Sequence, residues 1–293
     1  MELLFQQLVN GLAVGSQYAL WAVGYGVVYQ VLGLMHFAHG DTIVFAGLVA
    51  FTLVVAGLPF WLAVVAAAIV GAVIAILIEK FAYAPLMARK QTFLAFVAAL
   101  GAAYILRNIG TAVWGVETQV FPVDILPDPV VAVGGVSIRL FPIVSLVIAI
   151  GVVVAFQLFL DRARGGHAIR AVAQDREVAS LMGISTGRVV ALIYALSAAI
   201  GVLGLALYVG NTRTLTVGLG FAITLKAFVA VVIGGMGSIR GTVAAGIAIG
   251  VLESMVATYI STRAVDLVVF LVLIVALIIR PQGFAGRSAA LRA

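Results

Sequence analysis

Cysteine is absent from the 293-residue sequence, which excludes disulfides, a catalytic thiol and a zinc–thiolate site. Charge is also scarce: 17 basic and 11 acidic residues make up 10% of the chain, whereas soluble proteins carry roughly 25%. Hydrophobic residues make up 64% of the chain, and its mean hydropathy is +1.25. These values exclude an ordinary soluble domain and indicate a protein that folds in a lipid bilayer.

Motifs for nucleotide binding and hydrolysis are also missing. The three lysines, Lys80, Lys90 and Lys226, follow glutamate, arginine and leucine, so the phosphate-binding pattern G-x-x-x-x-G-K does not occur. The patterns H-E-x-x-H and G-x-S-x-G, typical of zinc proteases and serine hydrolases, are absent as well. We therefore predict that this chain has no ATP site of its own, no cofactor and no enzymatic activity.

Long apolar runs, by contrast, recur along the whole chain, and a membrane-spanning helix needs roughly 20 residues. Nine runs are candidates: 8–32, 42–58, 60–79, 93–113, 139–160, 189–209, 221–239, 241–260 and 265–280. The second run is short and compatible with a re-entrant segment, so the count is eight or nine, with nine preferred. The sequence predicts an all-α polytopic membrane protein, with residues 1–293 forming a single transmembrane domain.

Basic residues cluster in the breaks between these runs. With nine spans, three basic clusters lie on one side: Lys80, Arg89 and Lys90; Arg162, Arg164, Arg170, Arg176 and Arg188; and Arg280, Arg287 and Arg292. The connection 114–138 has no basic residue and contains Glu117, Asp124 and Asp128. Because cytoplasmic loops are enriched in Lys and Arg, we predict an outside N-terminus and a cytoplasmic C-terminus. This placement explains the net charge of +6 without a nucleic-acid partner.

One break, 161–188, contains a charged and helix-prone stretch, GHAIRAVAQDREVASLMGIS at 166–185. Helical spacing puts Arg170, Gln174 and Glu177 on one face, opposite the apolar residues Ile169, Val172 and Ala173. An amphipathic segment of this kind lies on a membrane surface or docks into a groove of a partner. A solvated connector with helical turns is the alternative.

The motif HFAHGD at 36–41 brings His36, His39 and Asp41 close together in sequence. Two imidazoles and a carboxylate are possible metal ligands, but a His-x-x-His pair without a further ligand is a weak signal. We predict no metal here. The favoured interpretation is a polar turn at the start of the second span, with Asp41 near a helix N-terminus, where negative charge is stabilised.

Three charged residues lie well inside the predicted spans, away from their ends: Arg107, Lys226 and Glu253. Lys226 lies 14 residues before Arg240 in the turn GSIRG, and Glu253 lies 13 residues after it, so two antiparallel helices would bring them to one level. We predict an intramembrane charge pair that either only locks the hairpin or forms a polar site inside the bundle. Arg107 lies seven residues before Trp114 near the end of its span, which predicts that it snorkels outward.

The first span combines small and polar residues. Its glycines Gly11 and Gly15 are four residues apart, as are Gly246 and Gly250 in the run 241–260, and this spacing permits close helix approach. The polar side chains either line a polar path through the bundle or form interhelical hydrogen bonds, which is the favoured interpretation. They are Gln17, Tyr18, Tyr25, Tyr29 and Gln30.

Three motifs together resemble the permease subunits of branched-chain amino acid ABC importers, most closely the LivH-type subunit. HFAHGD is similar to the family's Asn-x-Ala-His-Gly-acid segment, and 166–185 is similar to its cytoplasmic loop. Residues 218–253, followed by RPQGFAG, are similar to its late helices. Two residues depart from the family pattern: His36 stands where Asn is usual, and Ala245 where Gly is common.

The resemblance implies a function and a set of partners. In this family the cytoplasmic loop is a coupling helix received by an ATP-hydrolysing subunit, and the matching residues here are Arg170, Ala171, Gln174, Asp175, Ala179, Leu181, Met182 and Gly183. The other implied partners are a second permease subunit, expected to be a LivM-type paralogue, and an extracytoplasmic substrate-binding protein. The expected location is the bacterial inner (plasma) membrane. A related importer for urea or short amides, and a self-contained secondary transporter or channel, stay open as alternatives.

Overall fold

The chain folds mainly into helices. A computed structural model describes residues 2–122, 126, 129–133 and 136–286. Four residues of the predicted charge pattern lie outside this described part: Asp124, Asp128, Arg287 and Arg292. The helices, in chain order, are α1 (Glu2–Leu32), α2 (His39–Val55), α3 (Phe60–Ile78), α4 (Ala84–Ala88), α5 (Thr92–Trp114), α6 (Leu140–Arg162), α7 (Arg164–Gln174), α8 (Arg176–Leu181), α9 (Thr186–Thr212), α10 (Leu219–Gly234), α11 (Ile239–Tyr259) and α12 (Val265–Ile279). A π-helical turn, Glu79–Tyr83, joins α3 to α4, and a 3₁₀ turn, Thr262–Ala264, precedes α12.

Each predicted apolar run corresponds to a helix, but the helices differ in their ability to cross a membrane. Six helical segments within the described ranges are long and apolar enough: Phe60–Ala88, Thr92–Trp114, Leu140–Arg162, Thr186–Thr212, Ile239–Tyr259 and Thr262–Ile279. Helices α2 and α10 are shorter, with 17 and 16 residues, and the longer α1 contains glycine, tyrosine and glutamine residues. The fold is therefore that of a helical polytopic membrane protein with six clear candidate spans.

Helices α1 and α9 form the centre of the bundle. In the most apolar 18-residue stretch of α9, 67% of the residues are buried, compared with 11% in the segment Thr262–Ile279, which contains α12. Helix α1 packs against α6, α9, α10 and α11. The outer helices expose large apolar side chains, such as Leu62 and Ile69 of α3 and Ile274 of α12. An apolar outer surface of this extent suits a lipid environment, whereas the polar groups of α1 are enclosed by other helices.

The closest approach between α1 and α11 occurs at glycines. A Cβ atom added at Gly250 would overlap the backbone of Gly15, and one added at Gly15 would lie 2.6 Å from the Cα atom of Ile247. The glycines recognised in the sequence by their four-residue spacing thus lie at this interface, where the absence of side chains lets the two backbones touch.

Helix α2 begins inside the bundle. After α1 ends at Leu32, residues 33–38 are not helical and lead back into the interior, where His39 Nε2 lies 3.2 Å from the carbonyl oxygen of Trp21, three turns before the end of α1. The Gly40 N–H donates to Thr224 Oγ1 of α10 at 2.9 Å. Non-helical backbone at membrane depth is tolerated where protein encloses it and satisfies its polar groups. This geometry accounts for the shortness of the second apolar run.

Two small antiparallel strand pairs lie at the end of the bundle opposite α7 and α8. Strand β1 (Gln119–Val120), after α5, pairs with β4 (Thr214–Leu215), after α9. Strands β2 (Val130–Val133) and β3 (Val136–Arg139) form a hairpin before α6, with Val130 opposite Arg139. These pairs connect the ends of α5, α6 and α9.

The α1–α11 contact predicts that Gly250→Ala destabilises the protein, because the added methyl group must separate the two helices. Overpacking of this kind costs typically 1–3 kcal/mol. The matched control is Gly151→Ala in α6, where an added Cβ meets nothing within 4 Å and alanine is the better helix former. The midpoint temperature of unfolding in detergent should be lower for Gly250→Ala than for the unsubstituted protein, whereas Gly151→Ala should not lower it. Equal midpoints for the two variants would contradict the packing account.

Candidate functional site

Lys226 of α10 and Glu253 of α11 form an ion pair inside the bundle. Lys226 Nζ lies 2.9 Å from Glu253 Oε1 and donates a hydrogen bond of 2.9 Å to Oε2. The hydroxyl of Tyr18, in α1, donates to Glu253 Oε2 at 2.6 Å and accepts from Lys226 Nζ at 2.9 Å. Lys226 Nζ also lies 4.9 Å from the centroid of the Tyr18 ring, within the range of a cation–π interaction. These three side chains, the Lys226 cluster, connect α1, α10 and α11.

The turn between α10 and α11 sets the common depth of the pair. Gly237 has a φ of +98°, a conformation that glycine adopts without strain. Ser238 caps α11 by accepting a hydrogen bond of 3.1 Å from the Gly241 N–H. The two antiparallel helices adjoin this turn, so residues that are the same number of positions from it lie at the same depth. The structure brings Lys226 and Glu253 together in this way.

Sequence reasoning missed a third charge near this pair. Asp266, in the first turn of α12, lies 4.0 Å from Lys226 Nζ. Its side chain is 76% exposed, so its attraction to Lys226 is weaker than that of the buried glutamate. The sequence signal for this contact was an acidic residue at the start of the last apolar run. Counting residues from the GSIRG turn relates positions in α10 and α11 only, so it gives no information about α12.

The other polar residues of α1 differ in how they are satisfied. Tyr18 forms interhelical hydrogen bonds, as the favoured interpretation of these residues predicts. Within the described part of the chain, the buried Tyr25 hydroxyl has no hydrogen-bond partner, nor does Gln17 Nε2. The Tyr25 ring packs edge-to-face against His39 and Phe228 instead. Tyr25 therefore contributes mainly through its ring.

The polar turn forms a buried network between α1, α9 and the π-helical turn. His36 Nδ1 lies 2.9 Å from the Tyr83 hydroxyl, and the His39 Nδ1 atom lies 3.3 Å from Ser197 Oγ. Both histidines are buried. Across the ranges that the structure describes, no group of three or more His, Cys, Asp or Glu side chains is arranged to hold a metal ion. The geometry of His36 and His39 is that of hydrogen-bonded core residues.

Arg107 of α5 turns inward to Asp41, so the prediction that it snorkels outward is wrong. Its Nε and Nη2 atoms donate to the two carboxylate oxygens of Asp41 at 3.1 and 3.2 Å. The guanidinium carbon lies 5.6 Å from the Tyr104 ring centroid and 5.9 Å from that of Phe221. Asp41 lies in the first turn of α2, as predicted. Since α2 begins inside the bundle, a counter-ion is available below the membrane surface, and the bidentate pair is favoured over exposure to the interface.

The predicted coupling segment, 166–185, folds into α7 and α8 with a break at Asp175. Asp175 Oδ1 accepts hydrogen bonds of 2.9 and 3.0 Å from the backbone N–H groups two and three residues later, so Asp175 is the N-cap of α8. The chain leaves α8 through Gly183, whose φ is +83°. Arg170 forms an ion pair of 2.8 Å with Asp161 at the end of α6.

Only part of this segment is available to a partner. Ile169 and Val172 are buried because α7 packs on the end of α6. The expectation that this face needs a bilayer or a partner to cover it is therefore wrong for these two residues. Leu181, the last residue of α8, and Met182, which follows it, are 85% and 77% exposed. Among the predicted coupling residues, Ala179 is buried and Ala171 is partly buried; the exposed ones are Arg170, Gln174, Asp175, Leu181, Met182 and Gly183.

Comparison with solved structures finds a chain with a similar helical fold. The fold is similar to that of a chain in the structure titled PsaBC from Streptococcus pneumoniae in complex with Fab, with a TM-score of 0.53 and 13% sequence identity. The match covers 93% of this chain and 91% of that chain. At this identity the likeness shows the fold alone.

Sequence comparison identifies the family. A family model described as branched-chain amino acid transport system / permease component matches residues 7–278. The chain is 34% identical to the high-affinity branched-chain amino acid transport system permease protein BraD of Pseudomonas aeruginosa and 33% identical to LivH of Escherichia coli K12. Each match covers 96% of this chain and 95% of the relative. The chain therefore belongs to the branched-chain amino acid transport permease family, which confirms the resemblance seen in its motifs.

The Lys226 cluster predicts that Tyr18→Phe destabilises the protein. The substitution removes a hydroxyl that hydrogen-bonds to both charged groups, and hydrogen bonds to charged groups contribute roughly 1.5–3 kcal/mol. Tyr25→Phe, two turns further along α1, is the matched control because its hydroxyl has no partner in the part of the chain described here. The free energy of unfolding, measured in mixed micelles, should fall for Tyr18→Phe and change little for Tyr25→Phe. The opposite ranking would show that the Tyr18 hydroxyl does not stabilise the ion pair.

Proposed function

We propose that this chain is the permease subunit of an ABC importer that moves branched-chain or related hydrophobic amino acids across the inner (plasma) membrane. The family match over residues 7–278 carries the proposal, together with two relatives whose names specify high-affinity branched-chain amino acid transport. The apolar exterior and the enclosed polar groups suit a protein that carries a polar solute through lipid.

ATP hydrolysis belongs to a separate subunit in this proposal, because the sequence has no phosphate-binding loop. The exposed surface of α7 and α8 is the docking site for that subunit. Leu181 and Met182 are apolar side chains held out at a turn, which a groove on a partner would bury. The Arg170–Asp161 ion pair and the buried side of α7 fasten this segment to α6, so that movement of the ATPase is transmitted to the bundle.

The proposed topology has nine crossings, with the N-terminus outside and the C-terminus in the cytoplasm. Helices α1, α2 and α10 are the three that are not apolar or long enough alone, and all three lie inside the bundle, where neighbouring helices replace lipid. The segments 33–38 and 213–218 extend α2 and α10 toward the membrane surfaces. The basic residues of the α3–α5 connection and of the α6–α9 connection lie on the cytoplasmic side in this arrangement.

The importer requires three kinds of partner. A second permease subunit, a LivM-type paralogue, pairs with this chain, cytoplasmic ATP-binding subunits engage α7 and α8, and an extracytoplasmic binding protein delivers the substrate. Closure of the ATPase pair then pushes on the coupling segments and reorients the helices, so that the substrate path opens alternately to each side.

Uptake by proteoliposomes containing all of these subunits tests the proposed function. Labelled leucine, urea and acetamide are supplied separately with the binding protein, with ATP present or absent on the ATPase side. We expect leucine uptake that requires both ATP and the binding protein. Uptake driven by an ion gradient without the ATPase would indicate a secondary transporter, and transport of urea or acetamide instead of leucine would indicate a related importer.

The docking surface predicts that Leu181→Asp uncouples ATP hydrolysis from uptake without preventing folding, because this side chain is exposed. Gly183→Val should have a similar effect by straining the left-handed turn, at a local cost of about 1–3 kcal/mol. Val116→Asp, which places the same charge on an exposed residue at the other end of the bundle, is the control. Co-purification of the ATPase subunit and substrate-stimulated ATPase activity are the measurements. Unchanged co-purification and unchanged ATPase stimulation for both Leu181→Asp and Gly183→Val would contradict the docking site.

A further inference from the structure

A cavity of about 200 Å³ lies between the start of α2, the middle of α5 and the start of α10. Its polar lining consists of Asp41, Tyr104 and Arg107, and its apolar lining includes Phe37, Leu100, Ala103 and Phe221. Arg107 is seven residues before the end of α5, so the cavity lies roughly 10 Å below that end of the helix. This cavity, the Arg107 cavity, combines a charged wall with an apolar wall at membrane depth.

The ion pair that forms the charged wall retains hydrogen-bonding capacity. Arg107 uses its Nε and Nη2 atoms on Asp41, and among the described residues this leaves the N–H groups of Nη1 to bind a carboxylate. The Arg107 side chain is 29% exposed, whereas that of Asp41 is 2% exposed. The guanidinium therefore faces the cavity, and the carboxylate behind it fixes its orientation.

The net charge of the cavity selects the kind of ligand. Arg107 and Asp41 neutralise each other, so an added anion or cation alone would leave an uncompensated charge at membrane depth, which is costly. A zwitterion brings one charge of each sign: its carboxylate meets Arg107, and the ring of Tyr104 in the cavity wall attracts its ammonium group.

The apolar wall selects the rest of the ligand. Leu100 and Phe37 line the same cavity as the ion pair. The cavity volume is below the roughly 300–1,000 Å³ typical of drug-sized ligands, as expected for a single small molecule. We propose that the Arg107 cavity binds an aliphatic amino acid, with its carboxylate on Arg107, its ammonium group against the Tyr104 ring and its side chain against Leu100 and Phe37. This assignment rests on the proposed function and names the substrate site within it.

The absence of native cysteine makes the site directly testable, because Leu100→Cys introduces the single thiol of this chain. The variant is assembled with its partner subunits in phosphatidylglycerol nanodiscs, and the rate of labelling by a small methanethiosulfonate reagent is measured without nucleotide and with a non-hydrolysable ATP analogue. In at least one state we expect leucine, at ten times its half-saturating concentration, to slow labelling about tenfold, since occupied sites are shielded. Phe221→Cys on the facing helix gives a second, independent reporter.

Three kinds of control distinguish binding in the cavity from general effects on labelling. Val116→Cys, just beyond the end of the same helix, outside the cavity lining and 75% exposed, should label at the same rate with and without leucine. Adding Arg107→Gln to Leu100→Cys should abolish the protection. Leucinamide and 4-methylpentanoate, which lack the carboxylate and the ammonium group respectively, should not protect at the same concentration.

Several outcomes would overturn the assignment. They are an unprotected thiol at both reporters in a complex that takes up leucine, equal protection after Arg107→Gln, or protection by phosphatidylethanolamine in place of leucine, which would assign the cavity to a lipid head group. Protection by leucine in a complex without ATP-driven uptake would support the cavity and contradict the importer function, so the two failures are distinguishable.

Discussion

The ion pair between Lys226 and Glu253 is the interaction on which the arrangement of the central helices depends. An unpaired charge at the centre of a bilayer costs roughly 2.5–3.5 kcal/mol even on the insertion scale, so α10 and α11 must hold the two groups at one depth. Tyr18 must also reach both of them from α1. The close contact of Gly15 with Gly250 permits this, because a wider gap between α1 and α11 would move the Tyr18 hydroxyl beyond hydrogen-bonding distance of Glu253.

Helix α10 connects this cluster to the proposed substrate site and to the ATPase side. Near its start, Thr224 Oγ1 accepts a hydrogen bond from the first turn of α2, and Phe221 lines the Arg107 cavity. Two residues after Thr224, Lys226 fastens α10 to α1 and α11. At its other end, the carbonyl oxygens of Ile233 and Gly234 accept hydrogen bonds from the C-terminal segment, at 2.9 and 3.1 Å. A movement of α10 would therefore reach all three regions together.

Periodicity and counting predict much of this fold, but not its tertiary pairs. The apolar runs give the helices within a few residues, and counting from GSIRG places Lys226 opposite Glu253. The inward turn of Arg107 could not be predicted, because its partner Asp41 is 66 residues away and reaches it only when α2 begins inside the bundle. The burial of Ile169 and Val172 likewise depends on α6 packing. Both misses have the same cause: the predicted surface of one helix is covered by another that local pattern does not specify.

A double-mutant cycle on Lys226 and Glu253 tests the central dependence most directly, with the free energy of unfolding measured in mixed micelles. Lys226→Met and Glu253→Gln should each lower this free energy by roughly 3–5 kcal/mol, because each leaves one buried charge unpaired. The double variant should then lose less than the sum of the two, with a coupling energy of about 2 kcal/mol or more. Losses that add to within about 0.5 kcal/mol would contradict the claim that the two residues act as one unit.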